Sequence, residues 1–223
     1  MPIKAEVIVK LIKFFIIFLV INNRKLRKIT IKTTAYINLT ISITSHSTEV
    51  YMAHKILIMG ASYGSLLGTK IAMAGHNVDL VCLPAEADLI NSEGAVIRIP
   101  VKGRTGLVEV NSKKLPGKMA AGGTTAFDPK NYDLIVLAMQ EPQYSSPGVR
   151  EMLQTVAASK KPVMSIMNMP PLPYLKRIKS IDANVIRAAY REAAIWDSFD
   201  PALMTLCSPR SEEHTSELQS PYV

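Results

Sequence analysis

The chain has 223 residues, enough for one domain or somewhat more, since domains run to about 100–200 residues. With 48% apolar and 20% charged residues it is not a disordered chain, and Cys82 and Cys207, far apart and outside any CxxC spacing, exclude a disulfide framework and a zinc site. The net charge of +8 suggests nucleic acid or a membrane surface only until it is divided: residues 1–51 carry +6, residues 52–209 +4 and residues 210–223 −2, so the middle is nearly ordinary and no nucleic-acid partner is expected.

Residues 1–51 hold eleven Ile, six Lys, six Thr and no Gly, whereas all eleven glycines follow Met52. Their one long apolar run, Phe14 to Ile21, has eight residues, far short of the roughly 20 that span a bilayer, and no small-residue cleavage site follows it closely. The Ile/Thr-alternating stretch from Ile29 to Thr44 could pair as strand but has no turn signals. The composition is that of translated AT-rich DNA. The expectation is that Met52 is the true start, with a signal or anchor role, or a genuine extra element, as the alternatives.

His54 to Met59 (HKILIM) is a short apolar run that meets Gly60, and Ala61-Ser62-Tyr63-Gly64-Ser65-Leu66-Leu67-Gly68 follows. Apolar positions from Ser65 to Ala74 recur at near-helical spacing, and Gly75 ends them as a C-cap would. Asn77 to Leu83 is the next strand. Strand, glycine turn, helix and strand within about 30 residues is the unit that binds dinucleotides, because a pyrophosphate must lie against backbone N–H groups at a helix N-terminus where no Cβ intrudes. On this reading Gly60 permits the turn, Gly64 the close approach and Gly68 close helix packing. Ser62 and Ser65 could donate to phosphate or cap the helix, and Tyr63 could pack over the cofactor or over the turn. A tight strand-to-helix connection without ligand is the alternative. An acid that selects NAD usually ends the second strand, but Cys82-Leu83-Pro84 stand there. Glu86 and Asp88, slightly later, read as a solvated helix start, so NAD is disfavoured and NADP mildly favoured.

Ala95 to Val101 and Leu107 to Val110 read as an inserted strand pair. Asp133 to Met139 and Val163 to Met167 are buried parallel strands around a helix from Val149 to Ala158. Alternating strands and helices give an α/β, Rossmann-like, doubly wound and mostly parallel sheet. Ligands in such sheets sit beyond the carboxyl ends of the strands, which selects Gly60, Ala61, Ser62, Tyr63 and Gly64, then Gln140 to Gln143, and Asn168. No metal ligands are singled out. Leu172 to Ile178 and Ala183 to Phe199 are expected as helices, with Lys176, Lys179 and Glu192 as candidate acids or bases by residue type alone, each better explained as a solvated helix face.

Met52 to Val78, through Tyr63-Gly64-Ser65-Leu66-Leu67 and Ala74-Gly75-His76-Asn77-Val78, resembles the N-terminal domain of the ketopantoate reductase family and its glycerol-3-phosphate dehydrogenase relatives. The likeness continues through Leu89 to Gly94, Asp133 to Gln143 and Asn168, about 120 residues in all. It implies an NADPH-binding fold whose full-length protein reduces a 2-keto acid by hydride transfer, with a lysine as general acid from a separate helical C-terminal domain. Gly60 and Gly64 match the phosphate-turn glycines in a turn one residue shorter, Gln143 a recurrent glutamine, and Asn168 the asparagine near nicotinamide and substrate. Gln140 stands where the family often has a lysine, and Met169 where a glycine usually follows the asparagine.

Arg210 to Ser220 matches the in-frame translation of a common sequencing-library adapter over eleven residues. The expected organisation is therefore residues 1–51 as upstream or poorly ordered sequence, 52–180 as the dinucleotide-binding domain, 181–209 as the start of a helical segment and 210–223 as an adapter-derived tail. The chain is expected to be cytoplasmic, truncated before its catalytic domain and inactive as this fragment. Surface that a second domain would cover favours a homodimer. A non-catalytic nucleotide-binding or interaction module is the alternative function.

Overall fold

The computed structural model describes residues 53–207, apart from residues 102 and 104. The start at Met52, the apolar run Phe14 to Ile21, the Ile/Thr segment and the adapter-like tail lie outside the described residues. The chain divides into two units, residues 53–99 with 108–223, and residues 100–107 with 1–52; the latter contributes to the described residues only the connection between the two strands of an inserted pair.

Six strands form one sheet: β1 (Lys55–Met59), β2 (Asn77–Val81), β5 (Met119–Gly122), β6 (Leu134–Leu137), β7 (Val163–Ser165) and β8 (Met204–Leu206). Their order is β5-β2-β1-β6-β7-β8 and every pairing is parallel. The inserted pair β3 (Val96–Pro100) and β4 (Leu107–Asn111) makes a separate two-stranded sheet. With that pair set aside the order is the 3-2-1-4-5-6 of a Rossmann sheet, reversing between β1 and β6. The expected fold class is therefore observed.

The register brings all six strands to one line. Gly122, Val81, Met59, Leu137, Ser165 and Leu206 stand side by side across the sheet. One residue further on the ladder continues, with Cys82, Gly60, Ala138, Ile166 and Cys207 donating their N–H groups to Gly122, Val81, Met59, Leu137 and Ser165.

Alternation along the strands builds two cores. Ile56, Ile58, Val78 and Leu80 are buried on one face, where the helix α1 (Ala61–Met73) lays Gly64 and Gly68 against Ile58, Val78 and Leu80. The helix α2 (Pro84–Glu93) follows β2 and packs beside β5, buries Ala87 and Ile90, and holds Ala121, whose carbonyl accepts from Asn91 Nδ2 and whose N–H donates to Asn91 Oδ1. Leu57, Met59, Val81, Ile135 and Leu137 belong to the other core, with Leu153 and Val156 of the helix α3 (Val149–Ser159) and with Tyr132, Tyr144, Trp196 and Phe199.

The helix expected from Ser65 begins four residues earlier, at Ala61, because the turn needs only Gly60; Gly75, at φ +88°, ends it as anticipated. β2 stops at Val81 rather than Leu83, because Pro84 already opens α2. The last third departs most from expectation. The two long helices shrink to α4 (Leu172–Leu175) and α5 (Ala183–Arg187) with 3-10 turns at Ala193–Trp196 and Pro201–Leu203. Pro170, Pro171 and Pro173 remove backbone donors around the first, and Trp196 and Phe199 are pulled into the sheet's core rather than onto a helix face. Residues 181–206 thus carry α5, the two 3-10 turns and β8, which joins the sheet beside β7.

Candidate functional site

β1 delivers the chain to Gly60 at φ +109°, a conformation that favours glycine, and a Cβ there would stand 2.9 Å from both the Ala138 carbonyl oxygen and Met139 Cγ. The glycine thus lets the ends of β1 and β6 touch where the strand order reverses. Its own N–H is committed to Val81 O at 2.8 Å. α1 starts at once, with no side-chain cap and no acid in its first turn. The N–H groups of Ala61, Ser62 and Tyr63 then have no intrahelical acceptor and carry the positive end of the helix dipole. Ser62 is exposed and Tyr63 half-buried, whereas Ala61 and Gly64 are buried.

Gly64 lies against the sheet. A Cβ at that position would lie 2.8 Å from Ile58 Cγ2 and 3.5 Å from Leu80 Cδ2, so this glycine lets the helix lie close on the sheet, as Gly68 does beside Val78. The reason is periodic: residue 64 lies one helical turn past the N-cap, on the face that α1 turns to β1 and β2.

Beyond β6, Gln140 is exposed and its N–H donates to Gln143 Oε1 at 2.7 Å, so Gln143 is folded back on its own 3-10 turn, Glu141–Ser145. Met139 N–H donates to the buried Tyr144 hydroxyl at 3.1 Å, and burial pushes that phenol well above its ordinary range. Glu141, inside the Gln140 to Gln143 stretch, is 7% exposed; Oε2 accepts from Arg191 N–H at 3.4 Å and Oε1 is buried without a partner among the described residues. Beyond β7, Asn168 is exposed, three residues after the strand ends, and makes no hydrogen bond among the described residues. Nearby, the Tyr190 hydroxyl donates to Pro170 O, and burial, then the closeness of Glu141, pushes the phenol up to about 12.

The predicted positions thus fall beyond three neighbouring strands, β1, β6 and β7. Gly60 touches the residues just before Gln140, and Asn168 stands one strand further along. Lys176 and Glu192 are tied into ion pairs with Asp197 and Arg150, and Lys179 is exposed.

The carboxyl end of β2 carries an acid that counting along the chain had set aside. Leu83 N–H donates to Glu86 Oε2 at 3.1 Å, which folds the carboxylate back over the strand end. Burial, and then the nearby Glu86, pushes the Cys82 thiol up to about 11. A groove of about 510 Å³ lies elsewhere, between the loop after β5 and the start of α3, lined among others by Thr124, Thr125, Lys130, Glu151 and Thr155. It shares no residue with the glycine turn.

No protein-family model matches the chain, and no curated protein matches it as a relative. Similar solved structures include a candidate ketopantoate reductase from Ralstonia solanacearum, with 19% identity over 56% of this chain and 35% of that one at a TM-score of 0.39. A candidate 2-dehydropantoate 2-reductase from Bacillus subtilis has 23% identity over 57% of this chain and 38% of its own, at 0.33. A UDP-glucose dehydrogenase from the archaeon Pyrobaculum islandicum has 15% identity over 74% and 37%, at 0.39. The chain spans little more than a third of the length of these proteins. Its assignment to the Rossmann fold rests on its own strand order and register.

Proposed function

We propose that residues 53–207 are the nicotinamide-dinucleotide-binding part of an oxidoreductase of the ketopantoate reductase type. The observation that carries this reading is the uncapped N-terminus of α1, set by Gly60 at the point where the strand order reverses. The N–H groups of Ala61, Ser62 and Tyr63, with the exposed Ser62 hydroxyl, would hold the pyrophosphate. Gln140 and Asn168 would flank the nicotinamide and a 2-keto acid beyond β6 and β7. When bound, the cofactor supplies a hydride for the substrate carbonyl. The chain's part is to bind and orient, since reduction also needs a proton donor within hydrogen-bond reach of the forming alkoxide and Lys176 and Glu192 are already engaged in ion pairs. Those pairs also favour the second reading, a nucleotide-binding module without turnover. The resemblance brings NADP with it; which nicotinamide dinucleotide is taken is set at the end of β2. Both cysteines are free, in keeping with a reducing, cytoplasmic compartment.

Titrating the full chain into NADPH and NADH should shift or quench their fluorescence. No response at millimolar cofactor sinks the proposal. Turnover of a 2-keto acid decides between the reductase and the module.

A further inference from the structure

We propose that the carboxylate of Glu86 makes this chain select NAD(H) over NADP(H). This rests on the dinucleotide reading of the α1 site and deepens it. The adenosine ribose of a dinucleotide whose pyrophosphate lies at the N-terminus of α1 falls beyond the neighbouring strand, β2. The two places are directly joined here, because Gly60 N–H donates to the last carbonyl of β2, Val81 O, at 2.8 Å.

Along the chain Glu86 is five residues past the end of β2, too far for an acid that should terminate the strand. The backbone removes that distance. Leu83 is extended, at φ −66° and ψ 151°, Pro84 opens α2, and Glu86 at the third helical position reaches back to Leu83 N–H at 3.1 Å. Its charge is felt at the strand end itself, since the Cys82 thiol is held up partly by Glu86.

One carboxylate oxygen caps the helix, and the lone pairs that remain on the pair of oxygens can accept from the vicinal hydroxyls of a ribose. A 2′-phosphate would instead bring about −1.5 to −2 charges beside a carboxylate. The usual compensation is absent from this stretch of chain: residues 71–97 contain no Lys or Arg, but do contain Glu86 and Asp88. The nearby Lys113 ammonium is drawn to the Asn91 carbonyl, more than a turn further along α2. Discrimination thus arises from a repulsive element as much as from an attractive one.

The test is equilibrium titration of the full chain with NADH and with NADPH at equal, low ionic strength, followed by cofactor fluorescence. NADH should bind about tenfold more tightly, and added salt should narrow the ratio, because Glu86 is exposed and its repulsion is screened. Glu86→Gln keeps an acceptor for Leu83 N–H while losing the charge, so the ratio should fall to within about threefold; a purely structural role for Glu86 would weaken both cofactors alike. NADPH binding as tightly as NADH or more so, or a ratio unmoved by Glu86→Gln and by salt, overturns the assignment and leaves the dinucleotide reading intact. Binding of neither cofactor overturns both.

Discussion

On one face of the sheet α1 lies close because Gly64 and Gly68 turn no side chain toward Ile58 and Val78, whereas the other face is filled by Tyr132, Tyr144, Trp196 and Phe199. Tyr144 and Trp196 meet edge to face at 5.4 Å between ring centroids, and Trp196 leans on Phe199 at 5.8 Å. The difference bears on function. On the proposed function, close packing without side chains holds the start of α1 at the ends of the strands with its backbone donors unfilled, so the receptive end of the sheet belongs to the glycine face. Bulk on the opposite face anchors residues 172–206 to the sheet and carries β8 into its edge.

If the faces are held in these opposite ways, truncation should hurt one and enlargement the other. Trp196→Ala removes a fully buried indole and should lower unfolding free energy by about 3–5 kcal/mol in a denaturant titration. Trp196→Phe should lose less, because it also removes an indole N–H that is buried without a partner. A loss in Trp196→Ala below about 1 kcal/mol would show that the aromatic fill is not what secures this face.

Gly64→Ala is the converse experiment. Alanine gains roughly 1 kcal/mol of helix propensity over glycine, yet its Cβ would overlap Ile58 Cγ2 at 2.8 Å, and overpacking of about 1–3 kcal/mol should leave a net loss. Combining it with Ile58→Ala should recover part of that loss as a coupling of about 0.5–3 kcal/mol in a double-mutant cycle. Additive effects would mean that the close approach of α1 is not a steric constraint.

The aromatic face also holds a polar group at its margin. The Tyr132 hydroxyl donates to Asp79 Oδ2 at 2.7 Å while the Lys55 ammonium lies 3.3 Å from the same oxygen, and burial together with that hydrogen bond pushes the phenol far up. Tyr132→Phe should cost about 1 kcal/mol, since Lys55 still faces Asp79, and thermal melts would show it.

The smallest effect is expected at the surface. Hydrogen bonds from Arg187, with Lys176 contributing less, hold the Asp197 carboxyl down to about 2. A depressed carboxylate stabilises the fold above its unfolded range near pH 3.9, and the contribution is lost as pH falls toward 2. Asp197 is 44% exposed, so Asp197→Asn should lower the melting temperature only slightly at pH 7, and the gap from the parent should close by pH 2. A gap that persists at pH 2 would assign the loss to packing instead of charge.

The sequence by itself determined the α/β class, the positions of β1, β6 and α3, the inserted strand pair, and the glycine turn with Gln140 and Asn168 beyond their strands. Periodicity, continuous apolar runs and a glycine after a strand are local signals, and they act over the same few residues that form each element. β5 escaped notice because Met119-Ala120-Ala121-Gly122 has no β-branched residue and is a strand only by pairing with β2. β8 is three residues long and exists only beside β7. Tertiary structure alone decided that Gly64 faces Ile58, that Gln143 caps its own turn, that Glu141 is buried, and that Glu86 returns over the end of β2. Each depends on which side of a helix or turn the rest of the chain comes to occupy, and no count of residues along the sequence carries that information.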